Sequence, residues 1–358
     1  MNNKMLSGVV LAVEAGTIAV FGSLFYKLKK EHDKLKLDYA NLNRVQTAKM
    51  SNSSEDNIDF NNIKLPGIRK IVTNFYDKLS KEPGVDLTNF KNNFKTLKFK
   101  SIRKYDDGNS VYAEALYDYY NNTIYYGLLV KPRILAHELF HMASTIYDEE
   151  EKNIRLVGFG QSKYEKEIGM GLTEGYTELL AKRYFGNDIY EDGVSDSYVV
   201  EMSIVKSLET IIGKDKMMKF YFTADLKGLI NELKKYNDVE NIISFVSSVD
   251  EIALDTMSGE EYLSKSKYKK HLINVFEFLI KTYSNKQQYD KYTNQIDEDE
   301  FYKRIEEFIN DLNDFNYIKY GTIHRIQVLS KKTIIKIIKN MFKEDRLNLS
   351  FDEDLKKR

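Results

Sequence analysis

The chain contains no cysteine. Disulfide staples, thiolate metal sites and cysteine nucleophiles are therefore excluded together, and the redox compartment is left open. It also lacks a charge excess: 54 Lys and Arg face 54 Asp and Glu, for a formal net charge of zero. Proteins that grip phosphate backbones usually carry a basic surplus, so nucleic acid is not an expected partner. Histidine is scarce, with five in 358 residues. Any metal must be held by those few imidazoles and by carboxylates. Hydrophobic residues at 42% and charged residues at 30% argue for a folded chain with a real core rather than wholesale disorder.

Residues Met5 to Tyr26 form an apolar run broken by one charge, Glu14, and long enough to span a bilayer. Three readings compete. A cleaved signal peptide fits poorly, because only Lys4 leads the run and no clean small-x-small site follows. A buried core helix would spare Glu14 its cost in lipid. The length favours the third, a single membrane anchor over residues 1–26. Leu28, Leu35 and Leu42 then recur every seven residues, and 48–63 are polar and Asn/Ser-rich. Residues 27–65 are thus expected to be a helical stalk and polar linker.

The globular part opens with helical spacing at Ile68, Ile71, Val72, Phe75 and Leu79. Between Thr96 and Val130 the pattern turns to short alternating runs. ALYDYY, Asn121-Asn122 and TIYYGLLV read as a β-hairpin, since Asn tolerates a left-handed turn. Pro132 suits the first turn of a helix carrying ILAHELFHMA. Thr173 is a candidate cap for a second helix that Gly186 would stop. Beyond Ser195 amphipathic helix dominates to the end. The expected fold class is α+β: a core over residues 66–190 with a small antiparallel or mixed sheet, and a mostly α-helical C-terminal subdomain over 191–358.

His137-Glu138-Leu139-Phe140-His141 is an HExxH motif on the first of these helices. Residues four apart share a helical face, so both imidazoles can point at one ion, while Glu138 can reach a metal-bound water as a general base. A chance match without metal is the competing reading, but the strand before the helix and the acidic helix after it favour a metal site. Catalytic zinc needs a third protein ligand. The positions three and six residues past His141 hold Ser144 and Tyr147, which excludes a third histidine there. Glu174 and Glu178 lie one turn apart on the second helix, flanked by Gly171 and Gly175. Glu174 can ligate, and Glu178 can hydrogen-bond a ligating histidine from behind. Glu165, Glu167 and the Asp148–Glu151 run remain alternative sources of a ligand.

With HExxH followed by a helical glutamate, residues 96–186 resemble the gluzincins, the thermolysin-like zinc peptidases. The gap to Glu174 is longer than in those enzymes, and Glu178 stands where they commonly have Asp. The resemblance implies a zincin-like core with His137, His141 and Glu174 holding Zn2+ and Glu138 as catalytic base. It also implies an edge strand that pairs with extended substrate, here Thr123 to Val130 with Thr123, Tyr125 and Gly127. An oxyanion donor from the C-terminal half is implied too; His324 is one candidate, beside many tyrosines. The expected function is peptide-bond hydrolysis by a membrane-anchored, single-pass metallopeptidase acting on a peptide or protein. Two alternatives remain, a catalytically inactive zincin-fold scaffold tethered to the membrane and a metallohydrolase of some other amide.

Lys27, Lys29, Lys30, Lys34 and Lys36 follow the apolar run and only Lys4 precedes it, so the positive-inside bias places the catalytic part in the cytoplasm. Protease added to intact cells should leave that part undigested; digestion from outside refutes the orientation.

Overall fold

The computed structural model describes residues 58–102, 114–127, 130–147, 154–163, 166–186, 198–257, 263–293, 296–314, 317–320, 324–327, 332 and 336. These lie within one compact unit, Ser54–Arg358. The expected anchor over 1–26 and the stalk up to residue 57 fall outside the described residues. Among the described residues no helix is long and apolar enough to cross a membrane.

The last residues of the expected linker are tied down. Asp59 accepts from the Asn61 amide at 2.9 Å and caps a 3-10 turn, Phe60–Asn62. Arg69 donates to the Ile63 carbonyl at 2.7 Å, and Ile63 is buried. Helix α1 (Pro66–Leu79) starts on Pro66 and buries Ile68, Val72, Phe75 and Leu79, the stripe expected of a helix with one apolar face. After α2 (Thr88–Phe94) comes a three-stranded sheet of β1 (Lys98–Ser101), β2 (Ala115–Asp118) and β3 (Thr123–Tyr126).

The expected hairpin forms as β2 and β3, antiparallel, with Asn122 in the left-handed region at φ 46. Asn122 is also buried. Its amide donates to the Asn93 carbonyl at 2.7 Å and its side-chain oxygen accepts from the Tyr117 hydroxyl at 3.0 Å. The expectation that Thr123, Tyr125 and Gly127 lie on a substrate-pairing edge is overturned. Strand β3 is central, paired in parallel with β1 on one side and with β2 on the other. Strand β2 is one of the two edges of this sheet, β1 being the other. The Gly127 amide donates to the Glu114 carbonyl at 2.8 Å. By the alternation of an antiparallel ladder, this turns the backbone groups of Ala115 and Tyr117 outward.

Helix α3 (Pro132–Ala143) follows, and an antiparallel meander of β4 (Thr145–Tyr147), β5 (Ile154–Val157), β6 (Gly160–Lys163) and β7 (Lys166–Ile168) leads to α4 (Met170–Phe185). Among the described residues six further helices follow: α5 (Val199–Ile212), α6 (Lys214–Phe222), α7 (Leu226–Leu233), α8 (Val239–Met257), α9 (Lys265–Tyr292) and α10 (Glu298–Asp314). The two-stranded hairpin of β8 (Tyr317–Tyr320) and β9 (His324–Gln327) was not expected from the helical reading. Its alternating Tyr, Ile and charged residues are ordinary strand chemistry.

Helix α4 is the centre of the packing. It lies against α3, α5 and α8, and every residue from Gly171 to Ala181 is buried. A Cβ on Gly175 would stand 2.5 Å from the Glu201 backbone of α5. A Cβ on Gly171 would stand 2.5 Å from the Val249 carbonyl of α8. Gly175→Val should therefore force the helices apart and cost about 1–3 kcal/mol. Urea unfolding should show a lower midpoint; an unchanged midpoint contradicts this packing.

Candidate metal centre

Helix α3 carries the motif because Pro132 pre-sets its first turn and Leu135, Leu139 and Phe140 bury its opposite side. Phe140 meets Phe75 edge-on at 4.7 Å between centroids. At the other end the Asn93 amide donates to the carbonyls of Met142 and Thr145, each at 2.8 Å, and so satisfies groups that a helix end leaves open. The helix is thus fixed at its back and at its end while its motif face looks toward α4.

On that face His137 Nε2 and His141 Nε2 lie 3.1 Å apart. Glu174 Oε2 is 3.4 Å from each. The three side chains are only 13%, 11% and 9% exposed. A tetrahedral ion with bonds of about 2.0–2.1 Å spaces its ligands roughly 3.3 Å apart, so this triangle fits a divalent cation. His137, His141 and Glu174 together could hold a metal ion.

Behind the triangle, His137 Nδ1 lies 3.0 Å from Glu178 Oε2. The other Glu178 oxygen accepts from the buried Arg133 guanidinium. Glu178 takes the Nδ1–H, so Nε2 is the nitrogen that faces the triangle, and it offers a lone pair once its own proton gives way to an ion. The spacing repeats on both helices: Arg133 and His137 are one turn apart on α3, as are Glu174 and Glu178 on α4. Burial alone would lower the His137 pKa, but hydrogen bonds to Glu174 and Glu178 and the charge of Glu138 outweigh it and push it up to about 10. Such a raised histidine pKa stabilises the fold at and below neutral pH, and that contribution is lost as pH rises through about 10. Glu174, for which burial would raise the pKa, is held far below the usual range by the His141 charge and by bonds to both imidazoles.

Glu138 is not one of the three, and its Oε2 accepts from the outward-facing Tyr117 amide at 2.7 Å. The alternative ligands do not join the triangle. Glu167 is exposed, with the Tyr119 hydroxyl 3.4 Å from it; Glu165 and the 148–151 run fall outside the described residues. His324 opens β9, and its side chain is likewise outside them. Thr173 is not the helix cap. Helix α4 begins earlier, after Gly169 at φ 77, and the Thr173 hydroxyl instead bonds the Val157 carbonyl and the Phe159 amide, both at 3.0 Å. Gly186 does end the helix, its amide donating to the Lys182 carbonyl at 3.0 Å.

Two members of the site were missed. Arg133 gave no signal beyond its place one turn before His137. Tyr198 was hidden among 26 tyrosines. Its ring stacks on His137 at 6.1 Å and 15°, and its backbone sits in the left-handed region at φ 56. The charge of Glu174, with burial and a hydrogen bond to that carboxylate, raises its hydroxyl pKa far above the ordinary value. The hydroxyl is a proton donor at neutral pH, aimed at the triangle.

Glu178→Ala should leave His137 unoriented and remove the carboxylate that the buried Arg133 bonds. Zinc affinity, read by competition with a chromophoric chelator, should weaken by about 10–100-fold; undiminished affinity contradicts the role given to Glu178. Comparison of the chain with protein-family models, with curated proteins and with solved structures finds no match.

Proposed function

We propose that this chain is a zinc-dependent peptidase of the gluzincin kind with a zincin-like core, anchored to the membrane through residues 1–26. The observation that carries the reading is the ligand triangle, two imidazole nitrogens and one carboxylate oxygen at 3.1–3.4 Å, with Glu138 next to His137 in the chain. Further support comes from the mixed sheet, whose antiparallel edge strand β2 lies against the motif helix.

When bound, Zn2+ supplies Lewis acidity, lowering the pKa of a water and polarising a carbonyl. The remaining work falls to side chains and backbone. An extended peptide pairs with the outward groups of Ala115 and with the outward carbonyl of Tyr117, whose amide Glu138 holds, and is thereby laid across the triangle. Glu138 takes a proton from the attacking water and passes it to the departing amine nitrogen as the C–N bond breaks. Tyr198 donates its hydroxyl hydrogen bond to the carbonyl oxygen as negative charge builds there. Its left-handed backbone, costing about 1–3 kcal/mol for a non-glycine residue, is the kind of strain that persists where a side chain must be held in place.

The test is zinc analysis of the purified full chain in detergent, joined to digestion of an unstructured protein. About one zinc per chain is expected. Glu138→Gln should keep the metal and lose hydrolysis by about 10²–10⁴-fold. Tyr198→Phe should lower kcat by about 10²–10³-fold with little change in KM. A wild type that stays metal-free after reconstitution, or a Glu138→Gln chain that keeps its activity, sinks the reading.

A further inference from the structure

The first turn of α4 has no cap of its own. Gly169 precedes it with no side chain to offer, and the turn contains no acidic residue, although a helix start presents unsatisfied N–H groups and a partial positive charge. The missing acceptor comes from another helix. Asp250 of α8 takes the Gly169 amide on Oδ2 at 2.8 Å and the Gly171 amide on Oδ1 at 2.9 Å. Both carboxylate oxygens are used, one for each N–H. We propose that Asp250 is a positioning residue for the metal: it fixes the start of α4 from across the α4–α8 contact and thereby sets the reach of Glu174. The inference rests on the metal-site reading above.

Three observations carry it. Glu174 lies three residues beyond Gly171, so less than one turn separates the anchored amide from the ligand. A metal site tolerates errors of only about 0.2 Å in its bonds, and a helix start free to fray would exceed that. The contact is also tight. With the Val249 carbonyl where a Gly171 side chain would be, α8 meets the α4 backbone directly, and no side chain lies between to absorb movement. Finally, the choice of a carboxylate is costly. Asp250 is partly buried, with no cation against it among the described residues, and desolvation together with the charges of Glu167 and Glu251 pushes its pKa up to about 6, despite the two amide bonds. A carboxamide would avoid the partly buried charge but has a single oxygen, so its amino group would confront one of the two N–H donors. Only a carboxylate accepts from both at once. The Thr173 hydroxyl, bonded to the β5–β6 turn, holds the same helical turn from the other side.

The experiment loads the full chain in detergent with Co2+, whose visible absorption reports ligand number and geometry at zinc sites. Asp250→Asn and Asp250→Ala are compared with Val246→Ala, which opens a cavity at a buried position on the same helix. Both Asp250 variants should bind cobalt about 10–100-fold more weakly and show an altered absorption spectrum. Val246→Ala, at a similar or lower unfolding midpoint, should keep the wild-type affinity and spectrum. Wild-type cobalt binding and spectrum in the Asp250 variants overturn the proposal. Equal weakening in Val246→Ala and Asp250→Asn also overturns it, leaving Asp250 a structural clamp. A wild type that takes up no cobalt overturns the metal reading itself, and this inference with it.

Discussion

The close approach of α4 to its neighbours is the constraint on which the site depends. Two carboxylates one turn apart must reach the face of α3 while every residue from Gly171 to Ala181 is buried. Ordinary helix pairs keep their axes about 8–10 Å apart. Here glycines at 171 and 175 let the backbone of α4 touch α8 and α5, while on the α3 side Glu174 stands 3.4 Å from each imidazole. Interiors this dense pass a displacement on rather than absorb it, so the helical layer behind α4 belongs to the site as much as the residues that face it.

Burying carboxylates is expensive, and each here is offset in a different way. Glu174 faces two imidazoles, Glu178 spans an imidazole and a guanidinium, Glu138 takes a backbone amide, and Asp250 takes two. Glu201 is the exception. It lies fully buried on α5 against Gly175, with one oxygen accepting from Thr256 at 2.7 Å and the other without a partner among the described residues. Burial raises its pKa, as do the charges of Glu174 and Asp255, which favours the neutral acid and keeps another negative charge away from Glu174.

What could be read from the sequence was local. His137, Glu138 and His141 are fixed by helical spacing. The β2–β3 hairpin is signalled by Asn122, and the shared face of Glu174 and Glu178 follows from the same geometry as the histidine pair. What could not be read was set by pairing between distant segments. Whether β3 is an edge or a central strand depends on β1 pairing beside it, and nothing in Thr123–Tyr126 records that. The true start of α4 was missed because its cap lies 79 residues beyond Gly171, on Asp250. Tyr198 has no motif, and its place above His137 arises only once α5 packs against α4. Sequence periodicity shows which face of an element is apolar but not which neighbour will meet it.

The strand edge proposed above to receive an extended peptide is also a place where another copy could pair, since open edges are where β proteins aggregate. Strand β2 is four residues long and presents outward backbone groups at Ala115 and Tyr117 alone. One of those amides is already engaged by Glu138. A second chain docking edge to edge would have too few bonds to nucleate a stable intermolecular sheet, and would have to displace a buried carboxylate to gain them. The brevity of β2 thus works as protection against self-association. Under the proposed function, it also means that a peptide would draw most of its hold from side-chain contacts rather than from the strand.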